Sequence, residues 1–279
     1  MGTPMDATSR AQYVFGHSDR ELERLTRQAT LIGPFTRQLF LEAGLASGMR
    51  VLDVGSGMGD VAMLAAEIVG AKGEVVGTDK SPKAVAAAQT RVAQRNIRNV
   101  RFLEGDPAEM HFDGPFDAIV GRFVLAHSLD PSEMLRKLRR HARPGALIIF
   151  QEPDHTGAHC SVPMPLFSRA MNWIVDTIRA TGREPDTGLR LFSIYTSAGL
   201  PGPRMRYDSL TATPADSRAI WLGVETIRGY LPLMEKFGIA TAADVDIDTL
   251  EQRSVEQLRA AEAVIVCPAT VGAWCRLPA

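Results

Sequence analysis

Cysteine is scarce in this chain: Cys160, Cys267 and Cys275 are the only three. They cannot all pair, and none stands in a C-x-x-C spacing. Neither a disulfide scaffold nor a zinc ribbon is expected, and a reducing cytoplasm is the expected setting. A dominant charge is also lacking: 31 Lys plus Arg stand against 32 Asp plus Glu, a formal net charge of -1. A nucleic-acid partner needs a basic face, so none is expected. No apolar run approaches the ~18 residues of a membrane span. The opening MGTPMDATSR has no apolar stretch of the secretory kind, and Asp6 stands where a myristoylation signal has Ser or Thr. What remains is an ordinary globular balance, 45% hydrophobic and 23% charged. At 279 residues the expectation is one large domain, or one domain with an elaborated lid.

Patterning divides the chain. After a polar start, Ser18 and Glu21 form an S-x-x-E capping box, and Leu22, Leu25, Ala29 and Ile32 follow at helical spacing. Gly33-Pro34 predicts a break, with a second short helix carrying Phe35, Leu39 and Ala43. From Arg50 short apolar strands alternate with helices. The strands are predicted at 51–54, 74–78, 100–103, 116–120 and 146–151. Ser81-Pro82 and Asp130-Pro131 serve as cap-and-proline helix starts. Strands this apolar are covered on both faces, so the alternation predicts an open, mostly parallel α/β sheet. Beyond Gln151 the rhythm breaks. A loop at 152–165 precedes helices at 167–178 and 189–200 and a strand at 204–210. A long helix from Ile220 to Met234, kinked at Pro232, comes next. It is followed by a helix at 244–260 and a final strand or hairpin at 263–276, read as an outer member of the sheet.

Chemistry concentrates after the first strand, in Val51-Leu52-Asp53-Val54-Gly55-Ser56-Gly57-Met58-Gly59-Asp60. Glycines at a strand-to-helix turn let backbone approach a ligand in the crevice of an open α/β sheet. Gly57, Gly59 and Ala62 also fit the G-x-G-x-x-A register of a dinucleotide site, which keeps a nicotinamide-dependent oxidoreductase in contention. Three acids favour another ligand. Asp53 precedes the glycines, where an ammonium group gains from an anion and a pyrophosphate does not. Asp79 ends the second strand, where a carboxylate accepts both hydroxyls of a ribose. Asp106 follows the third, within reach of an adenine amino group. Ammonium, ribose and adenine together describe S-adenosylmethionine.

These segments resemble the class I S-adenosylmethionine-dependent methyltransferases, in the subgroup with a small-molecule or ubiquinone-biosynthesis type of core. VLDVGSGMGD is similar to that family's first motif, VVGTDKS to its second and LEGDP to its third. FDAIVGRFVLAH is similar to the fourth, and RPGALIIFQEPD to the fifth strand with its turn. The resemblance covers about residues 45 to 154. It implies a Rossmann-like, seven-stranded, mostly parallel sheet with helices on both faces. The last, antiparallel strand (263–276) would enter between the fifth and the sixth (204–210). The implied layout is an N-terminal helical lid at 1–45 and a cofactor core at 46–151. Acceptor-binding cap insertions would fill 152–262, and a closing strand 263–279. The implied activity is methyl transfer from S-adenosylmethionine, leaving S-adenosylhomocysteine, to a small acceptor of the kind met in specialised metabolism.

Site candidates follow. Tyr13, Asp53, Gly55, Ser56, Gly57, Gly59, Asp79, Lys80, Gly105, Asp106, Pro107 and Arg122 are expected to hold the cofactor. The bland alternatives are turn glycines, a helix-capping Asp79, a turn acid at Asp106 and a solvated Arg122. His155, just beyond the fifth strand, is the candidate general base, since imidazole suits proton removal at neutral pH. His127 is its rival. Met164, Phe167, Met171, Trp173, Trp221, Tyr230 and Met234 are expected to wall an apolar acceptor pocket. Glu152, Asp154, His155, His159 and Cys160 match no standard zinc spacing, so no metal is expected. A protein that binds the cofactor without catalysis is the third reading.

Overall fold

A computed structural model describes residues 19–279, with side-chain detail from Arg24 onward except at Thr26. Tyr13 and the cap expected at Ser18 lie outside that range. The first element, α1 (Asp19–Ala43), is one continuous helix with Pro34 inside it. Gly33-Pro34 therefore does not end the helix, contrary to the expectation from sequence. Pro34 is exposed, so its ring faces solvent, while Ile32, Leu39, Phe40 and Ala43 are buried on the inner side. An internal proline costs ~3 kcal/mol or more. Each large apolar side chain buried returns ~1.5–3 kcal/mol, so the packed stripe outweighs the break.

The alternation then runs β1 (Arg50–Val54), α2 (Asp60–Val69), β2 (Glu74–Asp79), α3 (Pro82–Gln94), β3 (Val100–Glu104), β4 (Phe116–Arg122), α4 (Pro131–Leu138) and β5 (Ala142–Asp154). The helix starts are capped as their sequence indicates. Ser81 accepts from the Ala84 N–H ahead of Pro82, and Asp130 from the Glu133 N–H ahead of Pro131. Beyond β5 come β6 (His159–Cys160), α5 (Pro165–Ala180), α6 (Leu191–Ser197), β7 (Arg204–Asp208), β8 (Thr211–Ala212) and α7 (Arg218–Lys236), which continues through Pro232. The chain closes with α8 (Ala242–Val245), α9 (Leu250–Ala260), β9 (Ile265–Val266) and β10 (Ala269–Arg276). The single helix expected over 244–260 is two. Thr241 opens α8 with a capping box, and Asp246 takes a left-handed conformation (φ 45°) that stops it.

The main sheet has the order β3-β2-β1-β4-β5-β10-β7, with β10 antiparallel to both of its neighbours. This is the seven-stranded Rossmann-like arrangement that the resemblance implies. The last strand is thus interior, and the reading of 263–276 as an outer strand is wrong. All residues of β10 except Arg276 are buried, so both its faces and both its edges are covered. The 263–276 stretch is also not continuous: β9 belongs to a small three-stranded sheet, β6-β9-β8.

Three apolar clusters result. One face of the sheet packs on α1, α2 and α3 through residues such as Leu39, Phe40, Val51, Ala62 and Phe102. The other packs on α4 and α6 through Leu52, Ile148, Leu135 and Tyr195. The third cluster joins α5, α7 and α9 with β8 and β9, away from the sheet. Because Leu39 and Phe40 belong to the first cluster, the second half of α1 is sheet core, whereas Arg24, Leu25, Gln28 and Ile32 face the carboxyl-end crevice.

Candidate active site

A cavity of about 1120 Å³ runs from the carboxyl end of the sheet into the third cluster. Ordinary small-molecule pockets hold ~300–1,000 Å³, so this one has room for two ligands side by side. One end is lined by Gly55, Ser56, Gly57, Asp79, Lys80, Gly105, Asp106, Pro107 and Arg122. The other is lined by Met164, Phe167, Met171, Ile174, Ile220, Val224, Ile227 and Tyr230.

At the sheet end the β1–α2 turn sets the geometry. Gly57 has φ +50°, and a β-carbon there would meet only open space; its backbone therefore stands bare toward the cavity. Asp79 braces the turn: its Oδ2 accepts from the Gly57 N–H and its Oδ1 from the Ser81 N–H, both at 2.9 Å. Each carboxylate oxygen can accept more than once, so the helix-side bond to Ser81 does not exclude ligand hydroxyls. Asp106 accepts from the Ala108 N–H at 2.9 Å and pairs with Lys80 at 2.7 Å. Burial works against its charge, but Lys80 and the Ala108 N–H hold its carboxyl below the usual range. The Ser56 hydroxyl is buried and has no hydrogen-bond partner among the described residues.

Two expected cofactor residues stand elsewhere. Gly59 does not line the cavity; it starts α2 with φ +82°, and a β-carbon there would come within 2.6 Å of the Phe102 ring. Its role is close packing. Asp53 is fully buried and also absent from the lining. Strand side chains alternate, so Asp53 shares the face of Val51 that α2 covers. Burial drives its carboxyl well above the ordinary range, opposed by the charge of Arg122. Neither of its oxygens has a hydrogen-bond partner among the described residues.

Arg122 is no solvated surface residue. Its Nη1 donates to Thr36 Oγ1 at 3.1 Å, and the Thr36 hydroxyl donates to Gln151 Oε1 at 2.7 Å. This chain fastens α1 to β4 and β5 beside the turn. Burial lowers the guanidinium pKa, opposed by Asp60 and Asp53. Glu152, fully buried, accepts from three consecutive N–H groups, those of Val124, Leu125 and Ala126, at 3.1, 2.9 and 3.1 Å. It pins the segment that carries His127 to the cavity wall. Burial pushes its carboxyl up to about 7, against the pull of those N–H groups.

His127 and His155 both line the cavity, and burial holds each imidazole down at about 4. Both are neutral at physiological pH. His155 Nδ1 has no hydrogen-bond partner among the described residues, and Asp154 Oδ1 accepts from Thr156, not from the ring. Among the described residues no group of three or more His, Cys, Asp or Glu converges as a metal site.

Of the expected apolar wall, Met164, Phe167, Met171 and Tyr230 face the cavity. Trp173 and Met234 do not; both are buried inside the third cluster, packing helix on helix. Trp221 also misses the lining and sits against the Arg27 guanidinium, 4.7 Å from its ring centre. Missed altogether from sequence were Arg24, Gln28, Thr36, Gln151, Arg183 and Thr270. Gln28 alone left a signal, as a polar residue in register with Leu25 and Ile32.

Residues 45–184, half of the chain, match the family model described as a methyltransferase domain. The chain belongs to that family. This methyltransferase domain is 34% identical over 112 residues to the ubiquinone/menaquinone biosynthesis C-methyltransferase of Idiomarina loihiensis, covering 39% of this chain and 45% of that protein. The chain spans about half the length of the curated relatives it matches. Among solved structures, a putative methyltransferase from Bacillus halodurans superposes with a TM-score of 0.57 at 15% identity, over 88% of this chain and 99% of that one. The [4+2]-cyclase SpnF superposes at 0.53 with 18% identity, over 88% and 80%. Both likenesses concern the methyltransferase fold, which by itself names no reaction. No helix among the described residues is long and apolar enough to cross a membrane.

Proposed function

We propose that this methyltransferase domain transfers the methyl group of S-adenosylmethionine to a small, largely apolar acceptor. The observation that carries this reading is the continuity of one cavity from the bare glycine turn to the apolar chamber of α5, α7 and α9. The residues at the sheet end suit the cofactor. Ser56 Oγ, buried and unpartnered, would accept from its ammonium group; Asp79 would accept from its ribose hydroxyls, and Asp106 from its adenine amino group. Once bound, the cofactor supplies an electrophilic methyl carbon on a sulfonium.

The protein's task in such a displacement is alignment and exclusion of water. Glu152 holds the β4 segment in place, the Arg122–Thr36–Gln151 chain holds α1, and residues 152–262 act as the acceptor cap. His155 and His127, both neutral, are available to take a proton from an acceptor hydroxyl. Their depressed pKa makes them weak bases, which favours an acceptor that ionises readily. The oxidoreductase reading loses support with Gly59, whose contact with Phe102 removes it from the ligand side of the G-x-G-x-x-A register.

Calorimetric titration with S-adenosylhomocysteine and NADH tests the cofactor. Binding of NADH alone would overturn the proposal. A +14 Da product in an extract supplied with protein and S-adenosylmethionine tests turnover; tight cofactor binding with no product from any extract would leave a binding protein.

A further inference from the structure

Thr270 lies where the interior strand β10 enters the sheet, and it lines the cavity. Only 6% of it is exposed, and its Oγ1 is buried with no hydrogen-bond partner among the described residues. The flanking strands supply none. Its cross-strand neighbours are Pro153 on β5 and Asp208 on β7, and directly opposed residues share one face of a sheet. Pro153 has no polar side chain, and the Asp208 carboxylate is turned to Arg206, accepting from it at 2.7 and 2.8 Å. Two residues beyond Pro153 comes His155, which also lines the cavity and whose Nδ1 is likewise without a partner among the described residues. Its backbone N–H is tied to the Pro185 carbonyl at 2.9 Å. Strand pairing thus brings Thr270 and His155 to one corner of the cavity. Sheet order sets β10 three strands away from β1 and its glycine turn, roughly 14 Å, which is the acceptor side.

A buried hydroxyl left unpaired destabilises a fold, and valine has the same shape without that penalty. Keeping threonine here sacrifices stability, as sites that await a ligand do. The two side chains also make complementary demands. A threonine hydroxyl has a hydrogen to donate, and a neutral imidazole accepts one at its unprotonated nitrogen. A ligand hydroxyl answers both: its oxygen accepts from Thr270, its hydrogen goes to His155, and a second lone pair remains to attack the methyl carbon. An amine has a single lone pair, which a bond from Thr270 would occupy. A carbon nucleophile has none to offer.

We infer that Thr270, together with His155, binds the reacting oxygen of the acceptor, and that the acceptor is a neutral hydroxyl compound with an apolar body. The inference rests on the proposed methyl transfer and narrows it to oxygen. In the step, the acceptor O–H bond breaks and its proton passes to His155. The oxygen–methyl bond forms as the methyl–sulfur bond of the sulfonium breaks, and sulfur keeps that electron pair. A turn about χ1, from one staggered position to another, aims the Thr270 hydroxyl into the cavity. The low basicity of His155 favours a phenol over an aliphatic alcohol.

A matched pair of probes tests the binding on the full chain. 1-Naphthol and 1-methylnaphthalene have nearly one shape, and only the first carries a hydroxyl; each is read by displacement of fluorescent N-phenyl-1-naphthylamine. The wild type should bind the naphthol at least about fivefold more tightly, the worth of an ordinary hydrogen bond. Thr270→Val should bring the two within twofold by weakening the naphthol alone, and should leave Tm unchanged or raised. Thr270→Ser should keep the preference. Equal affinity for the two probes in the wild type overturns the inference. So does a Thr270→Val variant that melts several degrees lower or fails to fold, because the hydroxyl would then be structural. An equal loss of both probes in that variant has the same meaning. The bond formed is read separately: cofactor labelled with carbon-13 in its methyl group, supplied to an extract with the protein, should yield a labelled methoxy carbon by NMR, and a labelled N-methyl or C-methyl product overturns the assignment to oxygen. S-adenosylhomocysteine titrated into the same samples should bind all three proteins within twofold; its failure to bind would count against the cofactor reading and leave the probe preference standing.

Discussion

Asp79→Asn separates a ligand-binding acid from a structural brace. In the wild type the two carboxylate oxygens accept from the N–H groups of Gly57 and Ser81, both at 2.9 Å. Asparagine keeps one acceptor oxygen and sets an NH₂ where the other stood, so one N–H meets a donor. A hydrogen bond to a charged group contributes ~1.5–3 kcal/mol, and loss of one should lower Tm by about 3–12 °C at ~2–4 °C per kcal/mol. If the acid also receives ribose hydroxyls, the neutral amide should weaken S-adenosylhomocysteine binding at least tenfold, about 1.4 kcal/mol. Differential scanning fluorimetry and isothermal calorimetry on one preparation read both quantities. A lowered Tm with less than a threefold loss of affinity would make Asp79 a brace alone. No change in either would refute the geometry of the turn.

Three further outcomes are expected. Gly59→Ala forces a left-handed conformation costing ~1–2 kcal/mol and overpacks the Phe102 ring for ~1–3 kcal/mol more. Urea denaturation should show that loss, with part recovered by Phe102→Leu in the same chain; a loss below about 1 kcal/mol would contradict the contact. The buried histidines should make the fold acid-sensitive. Unfolded histidine binds protons below ~6.5, whereas His127 and His155 resist to about 4. Their stabilisation is therefore complete above that range and lost as pH falls through it. Glu152, raised to about 7, acts in the opposite sense between 4.5 and 7. The His127→Gln/His155→Gln double variant should reverse the slope of stability between pH 6.5 and 5, and an unchanged slope would show that these rings are not buried neutral. Finally, His155→Ala should reduce turnover about 10²-fold with cofactor affinity retained, and the wild-type acidic limb should lie near 4; near-normal turnover would shift the proton-accepting role to His127.

What sequence reveals here is whatever chemistry demands locally. The glycine turn, Asp79 and Asp106 each sit at the end of a short apolar strand, so strand order and spacing put them along one edge of the sheet. The acceptor end has no such rule. Arg24, His127, Arg183 and Tyr230 are separated by dozens of residues and meet only because α1, α5 and α7 pack over the crevice. Tertiary packing also overrode two local signals, the Gly33-Pro34 break and the apparent pocket wall of Trp173, Trp221 and Met234. A large apolar residue at helical spacing fits helix–helix packing and a ligand wall equally well. Asp53 lies off the cavity wall for a different reason: an acid inside a strand follows the period-two alternation of its neighbours, whatever ligand lies above.

The position of β10 bears on how this chain is made. Its two partners, β5 and β7, leave the ribosome well before it, β5 by about 115 residues. At ~5–20 residues per second that gap lasts roughly 6–23 s. Throughout it β5 presents an unpaired edge, and β7, whose sole sheet partner among the described residues is β10, has no place in the sheet. Exposed edges of this kind are templates for aggregation. The nascent protein thus passes through an interval in which its cofactor half is nearly complete while one flank stays open. Chaperone occupancy on ribosome-bound chains should peak in that interval and fall once Ala269–Arg276 emerges.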